Sequence, residues 1–332
     1  MSGPTILPYG EASIARAATQ IVAGGIVAVP TETVYGLAAN ATDAGAVARI
    51  YAAKGRPSFN PLIVHVLDLA AAERLAVLDD AARALAAAFW PGPLTLVLPR
   101  RAAGLAAAVT AGLDTVAIRV PAHRAMRALL TASDRPLAAP SANRSGGISP
   151  TTAAHVVASL GAAAPLVIDD GACARGVEST IVMAGRVLRP GPIGEVEIAR
   201  VIAAFVKATS PSPGERRGPG ATRGPGPPLS AGRADRDETV TAPGQLASHY
   251  APAKPLRLNA SAARPDEWLI GFGTVVGDDT LSATGDLVEA AARLFAALHR
   301  ADASAKPRIA VAPVPRNGIG EAIADRLRRA AH

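Results

Sequence analysis

The sequence predicts an α/β protein with a larger domain at residues 8–206, a linker at 207–251 and a smaller α/β domain at 252–332. Two observations predict this arrangement. Short apolar runs typical of buried strands alternate along the chain with segments of helical periodicity. Between residues 211 and 228, 11 of 18 residues are glycine or proline, so this segment sustains neither a helix nor a packed core and marks a domain boundary.

The composition is typical of a cytosolic protein with an anionic partner. Hydrophobic residues make up 49% of the 332 residues, enough for a substantial core. The net charge of +7 favours nucleotides, phosphates or RNA without choosing among them, and an arginine-rich proteome explains it equally well. The single cysteine, Cys173, excludes an intrachain disulfide and a cysteine metal cluster and indicates a reducing compartment. We expect a soluble cytoplasmic protein without a signal peptide or a membrane span, because no apolar run reaches about 20 residues.

Apolar residues at helical spacing predict the helices, and capping residues mark several of their ends. Asp68, Asp79 and Thr151 are placed to cap free N–H groups at the start of three helices. Gly55 and Pro57 end the helix that begins near residue 43. The predicted helices are 11–23, 43–53, 68–78, 79–89, 123–130, 151–160 and 195–206, followed by 287–299 and 319–330 in the smaller domain.

Short apolar runs between turn residues predict the strands. The two runs on either side of Ala184 and Gly185 are predicted to form a hairpin. Because the smaller α/β unit has only about 80 residues, we expect it to pack on the larger domain. The predicted strands are 25–30, 62–66, 94–98, 116–120, 136–140, 166–168, 179–183, 186–189, 268–272 and 308–311.

Two cations in a glycine- and proline-rich turn are candidates for holding a polyphosphate. Lys54 and Arg56 are two residues apart, and in an extended turn their side chains point the same way. Ser141 and Asn143 repeat this spacing with neutral groups, and the segment that follows, 145–149, is typical of an anion-binding nest. Each feature alone is more often a solvated loop. The sequence contains neither a Walker A motif nor GxGxxG.

A second polar group is a candidate for binding an amino acid. Thr31 follows a predicted strand, while His65 and Arg119 lie within predicted strands. If the three converge, Arg119 is placed to bind a carboxylate. The alternative interpretation is that His65 is a hydrogen-bonded core histidine and that Arg119 forms a structural ion pair.

Seven ordered motifs carry a resemblance to a known family. They are PTETVYGLAANA, KGRPSFNPLIVHV, WPGPLTLVL, TAGLDTVAIRVPAH, APSANRSGGISPT, GVESTIV and LRPGPI. With them the chain resembles the YrdC-like family, the threonylcarbamoyl-adenylate synthases of tRNA modification. The segment PGQLASHYAP, Pro243 to Pro252, resembles the long two-domain form, in which the linker folds back over the active site. The resemblance implies a YrdC-like twisted open mixed sheet flanked by helices, plus a smaller Rossmann-like α/β C-terminal domain.

The resemblance also implies a reaction and its partners. L-threonine, bicarbonate and ATP give L-threonylcarbamoyladenylate, pyrophosphate and water, with Mg²⁺ sharing the charge of the triphosphate. The product passes to a tRNA-modifying threonylcarbamoyl transferase complex that acts on the adenosine next to the anticodon, and direct binding of tRNA is left open. The family pattern places Lys54, Arg56, Asn60, Thr115, Ser141, Asn143, Ser149, Arg189 and Tyr250 at the ATP, with Lys54 and Arg56 as the catalytic pair, and Thr31, His65, Arg119 and Ser179 at the threonine.

Two other functions fit the same fold class. An RNA-binding or ribosome-maturation protein would show salt-sensitive RNA affinity without ATP turnover. A relative that handles carbamoyl-adenylate is disfavoured, because that class normally carries zinc-finger modules and Cys173 is the only cysteine here.

Overall fold

A computed structural model describes residues 4–102, 104–209 and 249–332. The predicted segment at 211–228 and most of the predicted linker lie outside these residues, and the predicted domain bounds stay predictions. The strands are β1 (Ile6–Pro8), β2 (Val27–Pro30), β3 (Tyr35–Asn40), β4 (Ile63–His65), β5 (Leu94–Pro99), β6 (Thr115–Arg119), β7 (Leu137–Ala138), β8 (Leu166–Asp169), β9 (Thr180–Met183), β10 (Arg186–Arg189), β11 (Leu256–Arg257), β12 (Glu267–Gly271), β13 (Asp279–Thr280) and β14 (Arg308–Val311).

The helices lie on the faces of two sheets. They are α1 (Glu11–Val22), α2 (Ala44–Lys54), α3 (Leu69–Leu75), α4 (Asp80–Phe89), α5 (Ala107–Thr110), α6 (Arg124–Ser133), α7 (Ala153–Leu160), α8 (Glu195–Thr209), α9 (Leu287–Ala303) and α10 (Gly320–Ala330). Within the described ranges, every helix is too short or too polar to cross a bilayer.

The two sheets confirm the predicted α/β class. The first is a mixed sheet of ten strands in the order β1-β8-β2-β3-β7-β4-β6-β5-β9-β10. The second has four strands in the order β11-β14-β12-β13, and its pairs are all parallel. This smaller sheet with α9 and α10 is the predicted C-terminal α/β unit.

Local sequence signals explain most helix ends. Asp43, Asp68 and Asp79 each accept backbone N–H groups at the start of a helix, as N-cap carboxylates do. Two details of the prediction were wrong. The cap of α7 is Thr152 rather than Thr151, because its hydroxyl accepts from His155 N. Lys54 belongs to α2, since the left-handed Gly55 ends the helix one residue later than expected.

The strand β3 and four short elements were missed by the sequence prediction. β3 reads YGLAAN. Because it is buried along almost its whole length, it lacks the alternation of polar and apolar residues that marks a strand. It also contains no β-branched residue. The strands β1, β11 and β13 and the helix α5 span only two to four residues, too few for a periodic signal.

The central strands of the large sheet carry different residues on their two faces. In the parallel pair β4–β6, Ile63 lies beside Ala117 and His65 beside Arg119. Because side chains alternate along a strand, these four share one face, and Ile118 lies on the other, within the main hydrophobic core. The sequence predicted this division within β6. His65 and Arg119, the polar residues on the face shared with Ile63 and Ala117, belong to the candidate site.

The small domain shares its hydrophobic core with the large one, as its size led us to expect. Val34, Ile148 and Val177 of the large domain belong to the same buried cluster as residues of α9 and α10. At the edge of this contact the rings of His155 and His299 stack with their centroids 3.9 Å apart. The two sheets are therefore joined through an apolar interface.

Gly176 marks the closest approach between the large domain and α9. Its φ is +67°, and a Cβ built there would lie 2.3 Å from Ala291 O and 2.5 Å from Ala292 Cα. Both are backbone atoms of a helix, which has no room to move away. Only glycine fits this position.

We therefore predict that Gly176→Ala weakens the contact between the domains. An alanine in the left-handed conformation is strained, and its Cβ overpacks the contact with α9. Together these effects are expected to lower the free energy of unfolding by about 3 kcal/mol, measured by urea denaturation. Gly171→Ala is the matched control, because its φ is +80° and nothing lies within 4 Å of the added Cβ. Equal losses for the two variants would contradict the steric part of this prediction.

Candidate active site

A polar cavity lies on the strand face that carries His65 and Arg119. The turn after β2, the start of β3, the segment after β7 and the ends of the β9–β10 hairpin complete its wall. The structure brings together eight of the thirteen residues that the family pattern indicated. Those that line the cavity are Thr31, Arg56, His65, Arg119, Ser141, Ser179, Arg189 and Tyr250.

The other five predicted residues do not line this cavity. Lys54, Asn60, Asn143 and Ser149 lie directly behind the wall, as described below. Thr115 lies on the same face of β6 as Arg119 but four residues away along the strand, roughly 13 Å. Any ligand that contacts both must extend along the sheet.

Lys54 fastens the Ser-x-Asn segment from behind. Its Nζ donates to Ser141 O at 2.6 Å and to Asn143 O at 2.5 Å. Burial, and then the charge of Arg56, hold the pKa of Lys54 well below its usual range. The prediction that Lys54 and Arg56 lie in one extended turn with their side chains pointing the same way was therefore wrong. Lys54 is the last residue of α2. The side chains of Lys54 and Arg56 donate to backbone carbonyls of two different segments of the chain.

Arg56 is held by the turn that follows it. Its Nη2 donates to Asn60 Oδ1 at 2.6 Å and to Pro61 O at 2.8 Å. Burial is the main cause that lowers the pKa of Arg56 to about 10, so it remains a cation at pH 7. The structure thus gives Asn60 an orienting contact with Arg56.

The Ser-x-Asn segment is a compact loop held by its own polar groups. Asn143 Nδ2 donates to Gly147 O at 2.7 Å and to Arg144 O at 3.0 Å. Its Oδ1 is buried without a hydrogen-bond partner among the described residues. The hydroxyl of Ser149 donates to Glu178 Oε1. The loop is therefore preformed, with one acceptor unused.

Arg119 forms an ion pair with Glu32, a partner that the sequence did not reveal. Its Nη2 donates to Glu32 Oε1 at 2.6 Å and its Nη1 to Thr33 Oγ1 at 2.9 Å. This is the structural ion pair of the alternative interpretation, yet Arg119 also lines the cavity. Glu32 and Thr31 stand in one tight turn, in which Thr31 Oγ1 accepts from the backbone N–H of Val34.

His65 is a neutral imidazole in the cavity wall. Burial, and then the charge of Arg119, lower the pKa of His65 to about 3. Its Nδ1 has no hydrogen-bond partner in the part of the chain that the structure describes. A buried polar atom without a partner is costly, so it is available to a ligand.

The β9–β10 hairpin delivers Ser179 and Arg189 to the opposite wall. Arg189 Nη2 donates to Ser179 O at 2.8 Å and to Ser179 Oγ at 3.2 Å. Thr95 contacts the same hydroxyl at 2.7 Å. The pairing of β9 with β10 therefore places the hydroxyl of Ser179 beside the guanidinium of Arg189.

Two residues that precede the small domain complete the wall of the cavity. His249 and Tyr250 both line it, and the ring of Tyr250 packs 5.6 Å from that of Phe295 in α9. The hydroxyl of Tyr250 has no hydrogen-bond partner among the described residues. This end of the predicted linker therefore lies against the cavity.

Sequence reasoning missed the residues that support the predicted ones. Glu32, Glu178 and His249 each stand beside a residue that was predicted, within TET, VEST and SHYAP. A single acid within an otherwise uncharged motif was the available signal for the two glutamates. Among the described residues no cluster of three or more His, Cys, Asp or Glu is suited to a metal ion. The cavity is suited to a polyanion beside a small zwitterion.

Two models of known protein domains match most of this chain. The Sua5/YciO/YrdC family model, described as telomere recombination, matches residues 19–191. A second model, described as the threonylcarbamoyl-AMP synthase C-terminal domain, matches residues 195–332. The chain belongs to the threonylcarbamoyl-AMP synthase family.

Relatives in this family match over nearly their whole length. The threonylcarbamoyl-AMP synthase of Bacillus subtilis is 38% identical, over 98% of this chain and 94% of its own. That of Pyrococcus abyssi is 39% identical, over 96% and 94%. The crystal structure of P. abyssi Sua5 complexed with L-threonine has a TM-score of 0.81 at 37% identity, covering 98% of this chain and 97% of that one.

The buried Arg119–Glu32 pair predicts a pH-dependent stability. Burial alone would raise the pKa of Glu32, but the charge and hydrogen bond of Arg119 outweigh it and lower that pKa. The stability that this lowered pKa contributes is present above the ordinary pKa of 4.5 and is lost as the pH falls through the folded-state value.

Glu32→Gln is expected to lower the free energy of unfolding at pH 7 by about 3 kcal/mol, because it leaves Arg119 buried without a countercharge. In urea denaturation the difference from the unsubstituted protein should shrink below pH 4.5. Exposed Glu195→Gln is the control and should change the free energy by less than about 0.5 kcal/mol. A Glu32→Gln difference that stays constant with pH would contradict this prediction.

Proposed function

We propose that this chain synthesises L-threonylcarbamoyladenylate from L-threonine, bicarbonate and ATP, releasing pyrophosphate and water. The observation that carries the proposal is that one cavity is lined by Arg56 and Arg189 together with Arg119, His65 and Ser179. Full-length relatives bear the name of this activity, and one relative has been crystallised with L-threonine.

The nucleotide is proposed to bind on the side of Arg56. The guanidinium groups of Arg56 and Arg189 and the hydroxyl of Ser141 are suited to phosphate oxygens. Lys54, Asn60, Asn143 and Ser149 hold this wall in place and complete the ATP site that the family pattern indicates. Thr115 would meet the far end of an ATP extended along the sheet, and Tyr250 would cover the ligand.

Threonine is proposed to bind between Thr31, His65, Arg119 and Ser179. Among the described residues, three of the five N–H groups of Arg119 donate to Gly92, Thr33 and Glu32, which fixes its orientation. The other two are proposed to donate to the carboxylate of threonine. Neutral His65 is suited to accept a hydrogen bond from the ligand.

The chemistry proceeds through a carbamate. The threonine nitrogen bonds to the carbon of CO₂ derived from bicarbonate, with loss of water. A carbamate oxygen then attacks the α-phosphorus of ATP, and the bond from that phosphorus to the β-phosphate bridging oxygen breaks. Pyrophosphate leaves with the electron pair. No covalent bond to the protein is required, so catalysis consists of positioning and charge stabilisation by Lys54 and Arg56.

Mg²⁺ is proposed to enter as part of the ATP substrate. Glu178 lines the cavity and Glu32 pairs with the lining residue Arg119, so both carboxylates are engaged in ion pairs with arginines. The described residues therefore do not form a set of oxygen ligands for a resident Mg²⁺. Oxygens of the triphosphate are its natural ligands.

The product requires a second enzyme. A carbamoyl group joined to a phosphate is an activated acyl donor, and we propose that a tRNA-modifying threonylcarbamoyl transferase complex consumes it in the cytoplasm. The net charge of +7 is compatible with direct contact with tRNA, which we include as a proposal.

The proposal predicts pyrophosphate release that depends on threonine. We expect release from ATP and bicarbonate with L-threonine, little with L-serine and none without an amino acid. Lys54→Ala is expected to lower kcat/KM at least about 100-fold while circular dichroism shows an intact fold. Lys54→Met, which preserves the bulk of the side chain, should be equally inactive.

Lys207→Ala is the matched control, since Lys207 is exposed in the last turn of α8. Its activity should equal that of the unsubstituted enzyme. A fully active Lys54→Ala enzyme would remove Lys54 from the mechanism. Salt-sensitive RNA binding without turnover for any amino acid would instead favour the RNA-binding alternative.

Two serine substitutions are expected to separate the two halves of the site. Ser179→Ala should raise the KM for threonine about fivefold to tenfold, the equivalent of one lost hydrogen bond, with a smaller change for ATP. Ser141→Ala should do the reverse. Steady-state kinetics with each substrate varied in turn will measure both, and the same pattern in both variants would refute the assignment of the halves.

A further inference from the structure

Arg326 of the C-terminal domain is a buried cation with most of its contacts outside that domain. It lies in α10 and has 0% exposure, as the largest fully buried side chain that the structure describes. Its Nε donates to Glu178 Oε2 at 2.8 Å and its Nη1 to Pro190 O at 2.9 Å. Its guanidinium carbon lies 5.2 Å from the centre of the Tyr250 ring.

These contacts bracket the hairpin that forms one wall of the cavity. Glu178 immediately precedes Ser179, and Pro190 immediately follows Arg189. Because β9 and β10 are antiparallel, these two ends lie together, and Arg189 donates to Ser179. Arg326 thus holds both ends of the hairpin from behind.

The charge of Arg326 balances a buried carboxylate at the cavity wall. Burial alone would raise the pKa of Glu178, but the charges of Arg326 and then Arg189 lower it. Its second oxygen accepts from Ser149. Without Arg326, the remaining cation acting on Glu178 is Arg189, and a carboxylate drawn toward Arg189 would compete with a ligand anion for that guanidinium.

We propose that Arg326 is a positioning residue of the active site, acting through Glu178 and the hairpin on Ser179 and Arg189, and through its ring contact on Tyr250. The inference rests on the proposed function for its effect on catalysis. It assigns to the small α/β domain a direct part in shaping the cavity, besides its share of the interface.

The first test compares Arg326→Ala and Arg326→Lys with Arg328→Ala. Arg328 is two residues away on the same helix with its side chain 60% exposed, so it is the matched control. Arg326→Ala is expected to raise the KM values for threonine and ATP at least about tenfold, and Arg326→Lys, which keeps the charge, should restore part of this loss. Arg328→Ala should leave both KM values unchanged.

A purely structural role would give a different result. A less stable enzyme with an intact site has fewer active molecules, so kcat falls while both KM values stay constant. That outcome in Arg326→Lys would overturn the proposal. If Arg326→Ala does not fold, Arg326→Lys and Glu178→Gln decide, and both are expected to raise the KM values.

Hydrogen exchange supplies a readout that does not depend on turnover. In the full-length protein without substrates, Arg326→Lys is expected to speed amide exchange at residues 178–180 and 249–251, whereas Arg328→Ala should not. Unchanged exchange in these segments would overturn the proposal. If the unsubstituted protein releases no pyrophosphate, the proposed function fails, and the exchange experiment still decides whether Arg326 holds the hairpin.

Discussion

The burial of several cations around one cavity is the constraint on which the rest of the structure depends. Lys54, Arg56, Arg119 and Arg189 are each at most 9% exposed. Removing a charge from water costs several kcal/mol unless partners replace the lost hydration. Carbonyl oxygens replace it for Lys54 and Arg56, and a carboxylate replaces it for Arg119. The wall is therefore cationic and rigid before a ligand arrives.

The mixed sheet supplies these partners from distant parts of the chain. Parallel pairing of β4 with β6 sets His65 beside Arg119, and the antiparallel hairpin β9–β10 sets Ser179 beside Arg189. Because strand registers place each group, few groups must move when the ligand charge changes during reaction. A preorganised site of this kind stabilises developing charge without the cost of reorienting its dipoles.

The C-terminal domain is integral to this arrangement. The domain is small, and its core is completed by apolar residues of the catalytic domain. In return α10 contributes Arg326, and His249 and Tyr250 line the cavity. The contact of a guanidinium with Glu178 and with the Tyr250 ring joins the wall of the cavity and the small domain at one point. A shared core makes this junction firm, since Val34, Val177 and Tyr250 are buried together with residues of α9 and α10.

The sequence alone could predict the features that depend on interactions between residues close together in the chain. Helices capped by Asp68 and Asp79 and the hairpin after residue 179 depend on neighbours within a few residues, so their signals are present in the sequence. The Lys-x-Arg and Ser-x-Asn pairs could be found as motifs for the same reason. Only the tertiary structure showed that Glu32 pairs with Arg119, 87 residues away, and Glu178 with Arg326, 148 residues away. Such pairs are selected by the register of the strands and the docking of the domains, because charge attraction acts through space and leaves no periodic trace along the chain.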